Sequence, residues 1–293
     1  MTMNIVARRR LWYGISGVFV AASIVVLAVW KLNIGIDFTG GTLVELSFRE
    51  DVPTVEGVRG AFERVGAERV VVQTAGERGV IVRTAPMTEE VRQQMVAAFR
   101  DTATVERYEL IGPTVGRELA RKTMIAIVLS LVLIALYVAL AFRKAARDVS
   151  VWMFAGVSLI VMVHDVLIPV GVFAVLGRFM GVEVGAPFIA AALTILGYSI
   201  NDKIVVLDRV RENVVRSHGG SFAELVNRSV VDTLARSINT TVTVFLALLA
   251  VFIVGGATLR PFALALLIGI GVSAYSSIFI AAPLLVTWKE RGE

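Results

Sequence analysis

The sequence has no cysteine, so neither a disulfide framework nor thiol chemistry is open to it. Two histidines occur in 293 residues, and they give no zinc-ligand spacing; no resident metal and no cofactor is expected. No phosphate-binding glycine loop, nucleophile elbow or protease motif occurs, which argues against ATP hydrolysis by this chain. The chain is expected not to be an enzyme. Charge is scarce as well: charged residues make up 18%, against about 25% in an ordinary globular domain. With 56% hydrophobic residues and a mean hydropathy of +0.77, an ordinary soluble domain of this size is excluded.

What the sequence has instead is long apolar runs. Six windows, Leu11–Trp30, Thr123–Phe142, Val151–Leu176, Gly185–Leu207, Ser237–Val254 and Phe262–Trp288, approach or exceed the roughly 20 residues that cross a bilayer as a helix. They predict a multi-pass bundle of six transmembrane helices. "ARRR" precedes the first window, but the run outlasts a signal-peptide core and no A-x-A-like site closes it, so an uncleaved span is expected. Basic residues gather on one side: Arg8, Arg9 and Arg10; Arg143, Lys144 and Arg147; Arg209, Arg211, Arg216, Arg228 and Arg236; Lys289 and Arg291. The short loops on the other side hold only Arg178 and Arg260. The positive-inside rule then places both termini in the cytoplasm, in accord with an even number of spans. The net charge of +5 reads as membrane orientation and not as nucleic-acid binding.

These windows divide the chain into residues 1–30 with the first span, a soluble insert over 31–122 on the extracytoplasmic side, and residues 123–293 with five spans. The insert carries 13 basic and 14 acidic residues and is nearly neutral. Within it "GTLVELSF" alternates as a strand and "TVEGVRGAFERVG" has helical spacing with a glycine stop. "ERVVVQT" and "GVIVRT" form two strands joined by "AGERG". "MTEEVRQQMVAAFR" opens on Thr88 as an N-cap, and "TVERYELIG" supplies a last strand. The order βαββαβ predicts a small α+β, ferredoxin-like domain. The loop over 208–236 places Phe222, Leu225, Val226, Ser229 and Val230 at helical spacing, which predicts an amphipathic helix on the membrane surface. Small residues in the last window, among them Gly269, Gly271 and Ser273, predict close helix packing.

Polar residues inside the spans are the functional candidates. Asp202 falls about 8–10 Å inside the cytoplasmic boundary of the fourth span, counted at about 1.5 Å per residue from Asp208. Arg236 stands at the start of the fifth span, close enough in depth for the two to meet. Burial favours the protonated carboxyl and a nearby guanidinium favours the ionised one, so a site balanced between them can take and release a proton. The residues alone leave a second reading open, in which Asp202 is an interhelical hydrogen-bonding group and Arg236 a headgroup contact. Lys203 points about 100° away from Asp202, need not pair with it, and can snorkel to the interface. His164 and Asp165 lie near the middle of the third span and, with Asn201 and Asn239, form a candidate polar path. Adjacent residues diverge on a helix, so His164 and Asp165 are not a metal pair.

A resemblance sharpens this reading. "IGIDFTGGTLVEL", "IGPTVGRELARKTMIAIVLSLVLIALYVALAFR", "HDVLIPVGVFAVLG", "IAAALTILGYSINDKIVVLDRVREN" and "LARSINTTVTVFLALLAVFIVGGATLRPFALALLIGIGVSAYSSIFIAAPLL" follow one another as they do in the SecF family, the smaller proteins of the bacterial SecD–SecF complex. The chain resembles that family over nearly its whole length. The resemblance implies a bundle related to the resistance–nodulation–division transporters that pairs with SecD in the bacterial cytoplasmic (inner) membrane. It further implies use of the proton-motive force to promote preprotein export through the SecYEG channel. The implied partners are SecD, SecYEG, YajC as a further candidate, unfolded preprotein and membrane lipid, with no nucleic acid. The family's functional Asp in "SIND" falls on Asp202 and its functional Arg on Arg236. Two positions depart from the family pattern: Lys203 stands where a small hydroxyl residue is frequent, and Asp232 where an amide is common. Asp37, Gly40 and Gly41 read as a junction between first span and external domain, the glycines permitting unusual backbone turns. Two rival functions remain: a proton-coupled small-molecule or lipid exporter of the same superfamily, and a scaffold for membrane partners. The exporter would be expected to carry two large external domains and twelve spans in one chain.

Overall fold

Uninterrupted apolar runs become long helices because a helix satisfies its own backbone donors and acceptors, which lipid cannot do. The computed structural model describes residues 4–50, 52–143, 150–216, 220–256 and 259–292. Lys144 and Arg147 of the basic clusters, and positions 217–219 of the expected surface loop, lie outside the described residues. Among the described residues six helical stretches are long and apolar enough to cross a membrane: Val6–Trp30, Pro113–Ala141, Val151–Met180, Ala186–Arg216, Phe222–Val254 and Leu259–Arg291. They contain α1 (Arg9–Trp30), α5 (Pro113–Ala141), α6 (Val151–Met180), α7 (Ala186–Arg216) and α8 (Phe222–Val254). The last stretch is α9 (Leu259–Ser276), a π-helical stretch (Ser277–Ala281) and α10 (Ala282–Gly292). The backbone separates into two compact units.

The helical unit comprises Met1–Leu32, Ala126–Phe179 and Pro187–Glu293. Its third, fourth and sixth spans bury half or more of their residues, whereas the first, second and fifth are exposed over most of their length. Its core holds Phe154 stacked on Phe142 at 4.8 Å between ring centres, with Val157, Leu207, Val210 and Leu285 fully buried. The chain start is tied down by the Asn227 side-chain oxygen, which accepts from Ile5 N at 2.8 Å. Arg9 meets Glu290 at 2.7 Å.

The expected surface helix between the fourth and fifth spans is not a separate element. α7 runs on to Arg216, and α8 starts at Phe222 and continues unbroken to Val254. Ser221 and Glu224 form a capping box, Glu224 N donating to Ser221 Oγ at 3.3 Å and Ser221 N to Glu224 Oε2 at 3.0 Å. With no glycine or proline after it until Gly255, the helix has nothing to stop it. At 33 residues α8 is about 50 Å long, well beyond the roughly 30 Å of a bilayer's hydrocarbon. Val226 and Val230 face the core of the unit instead of lipid.

The second unit comprises Asn33–Ile125 and Met180–Ala186. The boundaries expected at 31–122 omit the second segment, whose attachment depends on contacts no local pattern encodes. A short helix α2 (Ile36–Thr39) precedes β1 (Gly41–Phe48); then come α3 (Val55–Arg64), β2 (Val71–Ala75), β3 (Gly79–Thr84), α4 (Glu89–Phe99) and β4 (Ala103–Ile111). All neighbouring strands are antiparallel, in the order β2-β3-β1-β4, with a register shift between Glu45 and Leu46 against β4. Alternation sends Val44, Leu46 and Phe48 of β1 and Val80 and Val82 of β3 into one core with Phe62 and Met95 of the helices. Thr54 and Thr88 cap α3 and α4, accepting from Gly57 N and Val91 N.

Gly40 sits at φ +76°, and a Cβ there would lie 2.8 Å from the Pro113 Cα. A Cβ on Gly41 would lie 2.7 Å from the Thr84 carbonyl oxygen. These two glycines therefore let three backbone segments of the unit converge.

A candidate functional site inside the spans

Asp202 lies sixteen residues into α7, about 24 Å along the helix from Ala186. It is buried, and its Oδ2 has no hydrogen-bond partner among the described residues. An unsatisfied carboxylate oxygen in a buried position is costly and marks a place for a proton, a water or a moving partner. Arg236 of α8 is exposed, and among the described residues no ion pair joins it to Asp202. The pairing expected from depth alone is thus not made in this arrangement. Depth along two helices leaves free which way each side chain points. One turn from Asp202, Tyr198 links α7 to α8 through a hydroxyl contact with Thr241 at 3.2 Å. Asn201 and Asn239 are exposed.

The next residue behaves differently from expectation. Lys203 does not snorkel to an interface; it is fully buried, and its Nζ donates to Asp165 Oδ2 of α6 at 2.7 Å. It also donates to the Ser199 carbonyl oxygen at 3.3 Å and to the Ser199 hydroxyl. Ser199 Oγ donates to the same Asp165 oxygen at 2.7 Å. The other carboxylate oxygen meets His164 Nδ1 at 2.9 Å, and His164 Nε2 meets Ser16 Oγ of α1 at 3.1 Å. His164 and Asp165 therefore do not diverge in function: the imidazole turns back onto its neighbour's carboxylate. Among the described residues no group of three or more His, Cys, Asp or Glu could hold a metal.

The carboxylate thus joins α6 to α7 directly, with both oxygens satisfied, and His164 extends the cluster to α1. This is the condition under which a buried ion pair is tolerated in a low-dielectric interior. Sequence reading left Lys203 without a role, although two signals pointed to it. Ser199 lies four residues earlier on the same helix face. Pro169 follows Asp165 by four and cannot donate to its carbonyl, loosening α6 where the carboxylate sits. Further polar groups in the bundle lack partners: Ser158 Oγ, Ser237 Oγ and Ser273 Oγ are buried without a hydrogen bond among the described residues. Ser277 Oγ donates to the Ser273 carbonyl at 2.8 Å where the last span turns π-helical, a distortion frequent at functional positions.

At the other end of α7, Asp37 Oδ2 accepts from Ala186 N at 2.6 Å, so the aspartate of the expected junction caps the first turn of that helix. Asp232, the second departure from the family pattern, accepts from Arg209 at 2.7 Å.

Comparison with known proteins follows the same residues. The profile of the SecD/SecF C-terminal family of protein export membrane proteins matches residues 91–291, and the SecD/SecF GG motif matches residues 25–52. The chain is 38% identical to protein translocase subunit SecF of Thermobaculum terrenum, over 99% of this chain and 95% of that protein. The same identity and coverage hold for SecF of Anaerolinea thermophila. SecDF of Thermus thermophilus is 42% identical over 88% of this chain, but the match spans only 35% of that longer protein. The crystal structure of Thermus thermophilus SecDF, described as a translocon-associated membrane protein, superposes with a TM-score of 0.88 over 99% of this chain and 39% of its own length.

Proposed function

The chain belongs to the SecD/SecF family of protein export membrane proteins, a multi-pass membrane protein of Sec protein export; from that premise we propose that it works with SecD and draws on the proton-motive force. The family is one of translocase subunits and not of known enzymes. On this reading Asp202 is the proton-exchanging group and Arg236 its intermittent counter-charge. The supporting observation is the buried, unpartnered Asp202 oxygen beside a lysine already engaged by another carboxylate. Lys203 therefore does not neutralise Asp202. Proton uptake at Asp202 and pairing with Arg236 would favour different arrangements of the spans, as any ligand with unequal affinity for two states must. One charge crossing the whole field yields about 2.3 kcal/mol per 100 mV.

Polar residues on exposed span surfaces support a partner. Asn201, Arg236 and Asn239 face outward in the single chain, where hydrocarbon would make them expensive. Spans of a SecD subunit would cover them, consistent with the joined SecDF protein. On the same reading the sheet unit is a ferredoxin-like extracytoplasmic domain, both termini are cytoplasmic, and SecYEG and unfolded preprotein are the working partners. Segments 1–30, 31–122 and 123–293 remain the proposed functional division.

The test is preprotein translocation at imposed proton gradients with the chain and SecD in vesicles. Asp202→Asn and Arg236→Gln are expected to abolish the gradient-dependent part while leaving assembly with SecD intact. Wild-type gradient dependence in Asp202→Asn would refute the relay.

A further inference from the structure

At one end of the helical unit three distant segments of the chain converge on a cleft of about 930 Å³. Its walls are the short 3-10 turn Val6–Arg8 with the opening of α1, the first turns of α8 and the end of α10. The turn is fixed from two sides. Asn227 Oδ1 accepts from Ile5 N at 2.8 Å and from Val6 N at 3.2 Å, and Trp12 Nε1 donates to the Ile5 carbonyl at 3.1 Å. Arg9 is held by a two-pronged pair with Glu290, Nη1 to Oε1 at 3.0 Å and Nη2 to Oε2 at 2.7 Å. The cleft is thus built into the bundle, and its volume falls within the roughly 300–1,000 Å³ of sites for small organic molecules.

Its charge is uneven. Arg9, Arg10 and Arg228 line it together with Glu224 and Glu290. Both acids are engaged, Glu290 by Arg9 and Glu224 by the Ser221 amide of the capping box. Arg10 and Arg228 are exposed and, among the described residues, make no ion pair. Two guanidinium groups from separate segments, each a planar fork of donors, suit phosphate oxygens. The lining also has an apolar part, with Ala7, Ala223 and Val231, the last 42% exposed. A bare phosphate ion gains nothing from that surface, whereas a lipid does.

The cleft lies where a span begins. The first membrane-length stretch starts at Val6, in the cleft wall, and Trp12 and Tyr13 follow within two turns. Tyr13 meets Thr287 at 2.9 Å between hydroxyl oxygens, next to Trp288 at the end of the last span. Tryptophan and tyrosine collect at membrane–water interfaces, so the arginines beside them stand at the level of lipid headgroups.

We propose that this cleft binds the phosphate of an anionic phospholipid. Arg10 and Arg228 take the phosphate oxygens, Arg9 adds a positioned third charge, and Val231 with the two alanines lies against the glycerol and the first methylenes. The site stands on the geometry of one end of the bundle and does not depend on the proton relay.

Native mass spectrometry of the full chain in detergent, titrated with phosphatidylglycerol, phosphatidylcholine or inorganic phosphate, tests it. One phosphatidylglycerol is expected to bind in preference to phosphatidylcholine, whose net charge is zero, and inorganic phosphate is expected not to displace it. Arg10→Gln and Arg228→Gln are each expected to weaken that binding about fivefold. Both positions are exposed and unpaired, so folding is retained. Arg211→Gln removes the same charge at the same end of the bundle but outside the cleft, where Arg211 pairs with Asp208, and is expected to leave binding unchanged. Equal binding of phosphatidylcholine, displacement by inorganic phosphate, unchanged binding in the Arg10→Gln/Arg228→Gln double variant, or an equal loss in Arg211→Gln would overturn the lipid site.

Discussion

Acid–base pairs are built in opposite ways in the two units. In the sheet unit Arg59 reaches Glu56 at 3.0 Å and Arg92 reaches Glu89 at 2.5 Å, each one helical turn away on an exposed surface. In the helical unit Lys203 and Asp165 meet at 2.7 Å across 38 residues of sequence, both wholly buried. Water screens the first kind and makes it nearly interchangeable with its absence. The second kind cannot be dissolved piecemeal, because removing one member strands the other in the interior. Even within the sheet unit burial decides the sign. Hydrogen bonds from Arg92 and Gln93 hold exposed Glu89 down to about 2, while desolvation lifts Glu183 to about 7.

The contrast is broken or sharpened most strongly at the buried pair. Lys203→Met and Asp165→Asn are each expected to destabilise the chain by roughly 3–5 kcal/mol, and the double variant by clearly less than their sum. Thermal unfolding in nanodiscs checks it, and additive losses would show that the pair does not act as a unit. Next comes an apolar deletion in the sheet unit: Leu46→Ala, at a fully buried β1 position, is expected to cost about 2–5 kcal/mol, read as lost exchange protection of the sheet amides. Thr88→Ala removes the cap of α4 and is expected to cost about 1 kcal/mol by the same measurement. Smallest is Arg92→Gln. It should return the Glu89 titration, followed by NMR, toward the usual 4.5 and flatten the small acid-side pH dependence of the unit's unfolding, with less change at neutral pH than Thr88→Ala. In the parent chain the Glu89 contribution is present above 4.5 and disappears as pH falls toward about 2.

Much of the sheet unit was legible because its signals are local. "GTLVELSF" became β1 over the same residues, "GVIVRT" became β3, and Thr88 caps α4 as its position before two glutamates implied. The spans were legible for the same reason, since hydropathy is summed along one segment. Their limits were not: α7 and α8 run past the lipid-length windows because nothing in 208–216 or 222–236 breaks a helix. At the candidate site Asp202 was recognisable as an acid in an apolar helix, but its lack of an Arg236 contact was not.

By itself the sequence determined six membrane-length helices, an α+β insert and the identity of the intramembrane acids. All three follow from side-chain chemistry read at a period of 3.6 or 2 residues. The tertiary structure alone decided that Lys203 serves Asp165, that Asp202 keeps an open oxygen, and that a loop between two spans meets Arg83 through Glu183 and is capped by Asp37. Those outcomes depend on how helices rotate about their axes and where distant segments converge, quantities that spacing along one chain leaves free. In a low-dielectric interior, a rotation that brings a carboxylate to an ammonium or leaves it alone separates a fixed tie from an unpartnered group.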